Sequence, residues 1–119
     1  MTKTLLIVDD ESSIRWIIKV AFEQEDICIV EAANGEEGVA TAHQISPDMI
    51  IMDFKLPGIN GWEAAKLIKD KLPDTIIIGH TGYASSENKQ DGIEAGCTDI
   101  VNKPVDLEEW ENLISKYLI

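Results

Sequence analysis

The chain has little cysteine, few basic residues and no long apolar run. Its two cysteines, Cys28 and Cys97, lie far apart and belong to no metal-ligand spacing. They read as reduced core or near-core thiols, so neither a disulfide framework nor a zinc finger is expected. No apolar stretch approaches the ~18 residues of a membrane-spanning helix. Met1-Thr2-Lys3 leads into a strand pattern and not into a cleavable leader, which points to the cytoplasm. Ten Lys and Arg stand against 22 Asp and Glu, a formal charge of −12. Such a surface repels phosphate backbones, so this domain is not expected to bind nucleic acid directly. Internal repeats, low-complexity tracts and linkers are also missing. The 119 residues therefore read as one domain, 1–119. A chain of that length buries roughly two-thirds of its unfolded surface without a metal or disulfide.

What is present is alternation. Thr4–Val8, Ile27–Val30, Met49–Met52 and Thr75–Ile78 are short apolar runs, and a shorter one lies around Thr98–Val101. Runs of this length bounded by turn residues predict strands buried on both faces. Between them lie helical patterns. Ile14, Ile17, Ile18 and Ala21 recur at helical spacing behind Ser12 and Ser13, which offer N-caps. Asn34 and Glu37 suggest a cap for a second helix, weakly apolar and carrying Gly38, expected to lie on the surface with little stability. Ala64, Ala65, Ile68 and Leu72 form a third inward stripe, and Trp110, Leu113, Ile114 and Tyr117 a last one behind Asp106 and Glu109. The polar segment Glu87–Glu94 is expected to be the least firmly packed helix. Five strands alternating with helices over short connections predict an α/β fold with a doubly wound parallel sheet.

Chemistry then gathers at the strand ends. The first run ends in Asp9-Asp10-Glu11 and the third in Asp53. The fourth reaches Thr81-Gly82 and the fifth Lys103-Pro104. In a parallel sheet these ends share one edge, where open α/β sheets bind their ligands. One acid would serve to cap a helix. Three adjacent acids repel one another and stay ionised only when solvated or paired with a cation. Carboxylates converging from neighbouring strands suit a hard cation, Mg²⁺ before Ca²⁺. A lysine and a hydroxyl facing that metal would complete a clamp for a phosphoryl group, with a carboxylate as nucleophile.

These motifs, in this order, resemble the receiver domains of two-component response regulators, the CheY-like family. They are Val8-Asp9-Asp10-Glu11, Asp53-Phe54-Lys55-Leu56-Pro57-Gly58-Ile59-Asn60-Gly61, Thr81-Gly82 and Lys103-Pro104, and the match covers the whole chain. The resemblance implies a flavodoxin-like five-stranded sheet of order 2-1-3-4-5. It implies phosphorylation of Asp53 by a sensor histidine kinase or histidine phosphotransferase. Asp10, Asp53 and the backbone carbonyl of Lys55 would hold Mg²⁺, with Asp9 acting through metal-bound water. Thr81 would be the switch residue, with Gly82 leaving room beside it. Lys103 would bind the phosphoryl group, and the Lys103-Pro104 bond would be cis. Kinase docking is expected on the first helix and the loops around the acids. Output or weak dimerisation of an otherwise monomeric chain is expected on the fourth and fifth helices with the last strand. No output domain follows, so the chain is a stand-alone regulator or a receiver cut from a longer protein, and the downstream effector stays open.

The chain departs from the family at Ile100, where an aromatic switch residue is expected, which puts the usual conformational readout in question. The resemblance implies that Lys55 and Tyr83, two residues past Asp53 and Thr81, flank the path of the hydrolytic water. Both are large, so they are expected to shield the acyl phosphate. The same pairing occurs in single-domain regulators of the sporulation phosphorelay, which pass the group on. His80 reads as a partly exposed strand-end residue, and Trp16 and Trp62 as packing residues. Three other functions compete. A Mg²⁺-dependent aspartyl phosphatase would carry a second acid where Lys55 stands. A flavodoxin-like redox module would not place three acids where FMN phosphate binds. A pseudo-receiver would dock partners without being phosphorylated, and the intact acids, Thr81 and Lys103 argue against it. The expectation is a signalling domain that turns over no small-molecule substrate and is therefore not an enzyme.

Overall fold

The computed structural model describes residues 2–22, 26–82 and 86–118. Strands and helices alternate as β1 (Lys3–Val8), α1 (Ser12–Phe22), β2 (Ile27–Ala32), α2 (Gly35–Ile45), β3 (Met49–Asp53), α3 (Gly61–Lys71), β4 (Ile76–Thr81), α4 (Ser86–Ala95), β5 (Asp99–Asn102) and α5 (Leu107–Tyr117). Every strand pair is parallel, and the sheet order is β2-β1-β3-β4-β5. This is the doubly wound sheet that the alternation and the resemblance implied.

The two-residue period of a strand sorts the core into two layers. Leu5 and Ile7 of β1, Met49 and Ile51 of β3 and Ile78 of β4 turn to the side of α1 and α5, where they meet Ile18, Phe22, Trp110 and Ile114. Leu6, Val8, Ile50, Met52 and Ile77 turn the other way, onto Ala42, Ala64, Ala65 and Ile68. All five residues of β3 are buried, as a central strand covered on both faces requires.

The helix ends follow the capping chemistry in three places. Asn34 Oδ1 accepts from Glu37 N–H (2.8 Å), Asn60 Oδ1 from Glu63 N–H (2.9 Å) and Asp106 Oδ1 from Glu109 N–H (2.8 Å). At α1 the expectation fails. Ser12 and Ser13 lie inside the first turn, and the Glu11 carbonyl accepts from Ile14 N–H and Arg15 N–H instead. The buried stripe of α1 is Ile18 and Phe22, while Ile17 is largely outside it.

The second helix is not surface-lying. Gly35, Gly38 and Ala42 are buried, and a Cβ on Gly38 would stand 2.8 Å from Val8 Cγ1. The small residues that weaken α2 as an isolated helix let its backbone settle on β1. The expectation for α4 agrees with the structure: of its described side chains none but Gly92 is buried, and Ile93 is half exposed. The expectation for Cys28 does not hold, because it is exposed; Cys97 is buried. Trp16 stands 64% exposed on α1 and is no packing residue. Trp62 is partly buried and meets Phe54 edge-on at 5.5 Å.

Register carries the fold into the site. Val8 pairs with Met52, Asp53 with His80, and Thr81 with Asn102. The residues just past β1, β3, β4 and β5 therefore stand side by side on one edge.

Candidate functional site

Asp53 ends β3 at the point where the sheet order reverses around β1 and β3. It is buried. Its Oδ2 accepts from Lys103 Nζ at 3.1 Å, and its Oδ1 accepts from Lys55 N–H at 3.2 Å. Burial raises its pKa above the ordinary aspartate value, and the charge and hydrogen bond of Lys103 oppose that rise.

Asp9 directly follows β1 and is also buried. Its Oδ1 accepts from Glu11 N–H at 2.9 Å. Its Oδ2 has no hydrogen-bond partner among the described residues. The ammonium of Lys103 stands 3.8 Å from that oxygen. Burial pushes the Asp9 carboxyl up to about 6; the Glu11 hydrogen bond opposes this and the neighbouring Asp53 charge adds to it. Asp10 is exposed, and one carboxylate oxygen from each of Asp9, Asp10 and Asp53 lies within 4.8 Å of the others.

These residues fit a hard divalent cation. The donors are all oxygens, they converge from two neighbouring strands, and Asp9 Oδ2 is a buried carboxylate oxygen with nothing donating to it. Leaving such an atom unpaired costs free energy that a cation would recover.

Lys103 reaches the same point from β5. Its ammonium is 3.1 Å from Asp53 Oδ2, 3.8 Å from Asp9 Oδ2 and 3.9 Å from Glu11 Oε1. Partial burial would lower its pKa, but the Asp53 and Asp9 charges more than offset that and raise it. Its N–H donates to the Thr81 carbonyl at 2.7 Å, and the Lys103-Pro104 peptide is cis as expected. Thr81 is buried at the end of β4. A Cβ added to Gly82 would meet nothing within 4 Å. The structure thus brings Asp9, Asp10, Asp53, Thr81 and Lys103 to one edge. Lys55 contributes its N–H to Asp53, and its side chain is exposed. Tyr83 lies outside the described residues.

Ile100 is buried on the α4 side of the sheet. Phe54 and Ile100 close over Gly79 and Gly92, where an added Cβ would stand 2.5 Å from Phe54 Cζ and from Ile100 Cδ1 respectively. The aromatic switch position is therefore a packed aliphatic contact under α4.

Three residues near the site were not foreseen in these roles. His80 is 1% exposed and not a partly exposed strand end. The two-residue period places it with Ile76 and Ile78, so it faces α5, where it meets Trp110 edge-on at 4.8 Å. Its Nδ1 is 3.8 Å from Asp9 Oδ2. Burial, reinforced by the Lys103 charge, lowers its pKa to about 3, so the imidazole is neutral. That parity was available in the sequence. Arg15, the chain's only arginine, donates through Nη1 to the Asp9 carbonyl at 2.6 Å and through Nε to Glu31 Oε1 at 3.0 Å. It ties the β1–α1 loop to β2. Glu36 reaches from α2 to the loop after β3, where its Oε1 accepts from Ile59 N–H at 3.1 Å. Neither contact leaves a sequence signal, because each joins segments brought together by the fold.

Comparison with known proteins follows the same lines. The family described as response regulator receiver domain matches residues 5–115. The phosphate regulon transcriptional regulatory protein PhoB of Pseudomonas aeruginosa is 41% identical over 104 residues, covering 86% of this chain and 45% of that protein. Sporulation initiation phosphotransferase F of Bacillus subtilis is 31% identical over 118 residues, covering 99% of this chain and 95% of that protein. The chain thus spans less than half of the one relative and nearly all of the other. The chemotaxis response regulator CheY4 of Vibrio cholerae superposes with a TM-score of 0.92 at 29% identity, covering 99% of this chain and all of that one. A CheY-like receiver domain protein from Methanospirillum hungatei gives 0.92 at 31% identity, over 98% of this chain and 93% of that one.

Proposed function

Because the chain belongs to the response regulator receiver domain family, we propose that Asp53 accepts a phosphoryl group from a phosphohistidine on a sensor histidine kinase or histidine phosphotransferase. The observation that carries this is the pairing of buried Asp53 with Lys103 beside the unpaired Oδ2 of Asp9. An Asp53 carboxylate oxygen attacks phosphorus. The bond from phosphorus to the donor imidazole nitrogen breaks, and that nitrogen leaves with the electron pair. The product on Asp53 is an acyl phosphate.

Each neighbour has a role in that transfer. Lys103 keeps its charge, because the surrounding carboxylates raise its pKa, and it neutralises phosphoryl oxygen charge. Thr81, at the end of the adjacent strand, supplies a hydroxyl donor. Asp9, Asp10, Asp53 and the Lys55 carbonyl would hold Mg²⁺, which when bound neutralises charge on the phosphoryl oxygens. With Lys55 two residues past Asp53, no second acid stands there to protonate a leaving group, which argues against an aspartyl phosphatase.

The donor surface is assigned to α1 and the loops around the acids, on which Trp16, Ile17 and Val20 stand exposed. The chain then acts in the cytoplasm, as a monomer or weak dimer, through phosphorylation-dependent protein contacts. Its likeness to a sporulation phosphotransferase over nearly its whole length supports a place as a phosphorelay intermediate.

The test is an intact-mass spectrum after incubation with acetyl phosphate and Mg²⁺. One phosphoryl adduct that needs Mg²⁺ and is absent from Asp53→Asn is the expected result. An unmodified wild type would leave a docking module that works without phosphate.

A further inference from the structure

We infer that Glu36 is a positioning residue for the metal site: it latches the loop that carries the Lys55 carbonyl to the start of α2. This rests on the Mg²⁺ site proposed above. The loop runs from Asp53 at the end of β3 to the Asn60 cap of α3. Its base is closed by Gly61 N–H donating to the Phe54 carbonyl at 2.9 Å. At one side Lys55 N–H donates to Asp53 Oδ1 at 3.2 Å. Across residues 56–59 the Leu56 and Ile59 side chains pack against the core, and the hydrogen bond from Ile59 N–H to Glu36 Oε1, 3.1 Å, is the one hydrogen bond to another element among the described residues.

Three further features are shaped around that contact. Gly58 has φ +79°, and a Cβ there would stand 2.5 Å from both Glu36 carboxylate oxygens. Only glycine serves both conditions, the left-handed backbone and the close carboxylate. Gly35 lets α2 approach from the other side, since its Cβ would stand 2.5 Å from Ile59 Cγ1 and 2.7 Å from the Ile59 carbonyl. Glu36 makes no side-chain hydrogen bond to its own helix among the described residues. Asn34 caps α2 at Glu37 N–H, while the Glu37 carboxylate turns to Ala33 N–H at 3.5 Å. Of two adjacent acids, one serves the helix end and the other crosses to the loop.

A carbonyl ligand is useful to a metal only if its loop already holds the bound shape. Otherwise binding must also supply the ordering of that loop. Losing one charge-assisted hydrogen bond from such a loop is expected to weaken Mg²⁺ about three- to tenfold.

The experiment titrates Mg²⁺ into the full chain at fixed ionic strength, read by calorimetry and by tryptophan fluorescence. Trp62, edge-on to Phe54, reports on the loop. Wild type, Glu36→Ala, Glu36→Gln and Asp53→Asn are compared, with urea midpoints measured in EDTA. Glu36→Ala is expected to bind Mg²⁺ three- to tenfold more weakly with little change in metal-free midpoint. Glu36→Gln, which keeps the accepting oxygen, is expected to stay close to wild type. A Gln variant as weak as the Ala variant would mean that Glu36 acts only by charge, and the latch would be overturned. So would an Ala variant that matches wild type. Wild type no tighter than Asp53→Asn would instead remove the metal site itself, and with it the role assigned to Glu36.

Discussion

Replacing Asp9 with asparagine is expected to stabilise the metal-free protein. Asp9 is buried, and one of its oxygens receives no hydrogen bond among the described residues. The rise of its pKa from the ordinary 3.8 to about 6 corresponds to about 3 kcal/mol held against the ionised form at neutral pH. Asparagine removes that charge and keeps an oxygen to accept from Glu11 N–H. Its amide nitrogen would face His80 Nδ1, 3.8 Å from the present Oδ2, and still bears a desolvation cost. A net gain of about 1–2 kcal/mol is expected at pH 7.5. The sign with pH follows from proton counting. The folded state binds a proton at Asp9 before the unfolded state does, so the penalty is absent below 3.8 and grows as pH rises through about 6. The penalty should thus fall to about half at pH 5, still above the isoelectric point of 4.4, and with the amide's desolvation cost unchanged the advantage of Asp9→Asn should all but vanish there. Urea unfolding in EDTA at the two pH values measures it. Excess Mg²⁺ should then stabilise wild type and leave the variant unmoved, narrowing the gap. A variant no more stable than wild type at pH 7.5, or a gain undiminished at pH 5, would refute the reasoning.

Three other outcomes are expected. The His80 ring should stay neutral on going from pH 8 to pH 5, so its carbon-bound proton signals in NMR should not titrate; a midpoint near 6.5 would contradict its burial. Because its folded pKa lies below its unfolded value, the stability it leaves to the fold is present above pH 6.5 and falls as pH drops toward about 3. Gly38→Ala should lower stability by about 1–2 kcal/mol through overpacking against Val8, in spite of alanine's better helix propensity, and an unchanged urea midpoint would show that α2 can shift instead. The Lys55→Ala, Tyr83→Ala double variant should lose its phosphoryl group several-fold faster than wild type, followed by mass spectrometry, and equal decay would end the shielding argument.

The site was legible because its chemistry sits at the ends of strands. An apolar run that stops at a carboxylate, a threonine or a lysine announces both the strand and what it carries to the edge, and parallel order then makes the edges one place. Asp9, Asp53, Thr81 and Lys103 could be named on those grounds before any coordinates. His80 was half legible, since its parity with Ile76 and Ile78 puts it on the α5 face, but its burial depended on Trp110 arriving there from 30 residues away in the chain. Ser12 and Ser13 misled for a local reason: several residues in a row were able to cap α1, and the position of the Glu11 carbonyl decided between them.

The sequence by itself determined the element order, the parallel sheet and the identity of the groups that meet at its edge, because periodicity and turn chemistry are local and act within a few residues. The tertiary structure alone decided which of those groups are paired and which are left alone. That Lys103 lies 3.1 Å from Asp53 but 3.8 Å from Asp9, that Trp16 is exposed while Trp110 is buried, and that Glu36 reaches Ile59 are facts of distance between segments far apart in the chain. Burial and electrostatic coupling depend on those distances, and no spacing along the chain encodes them.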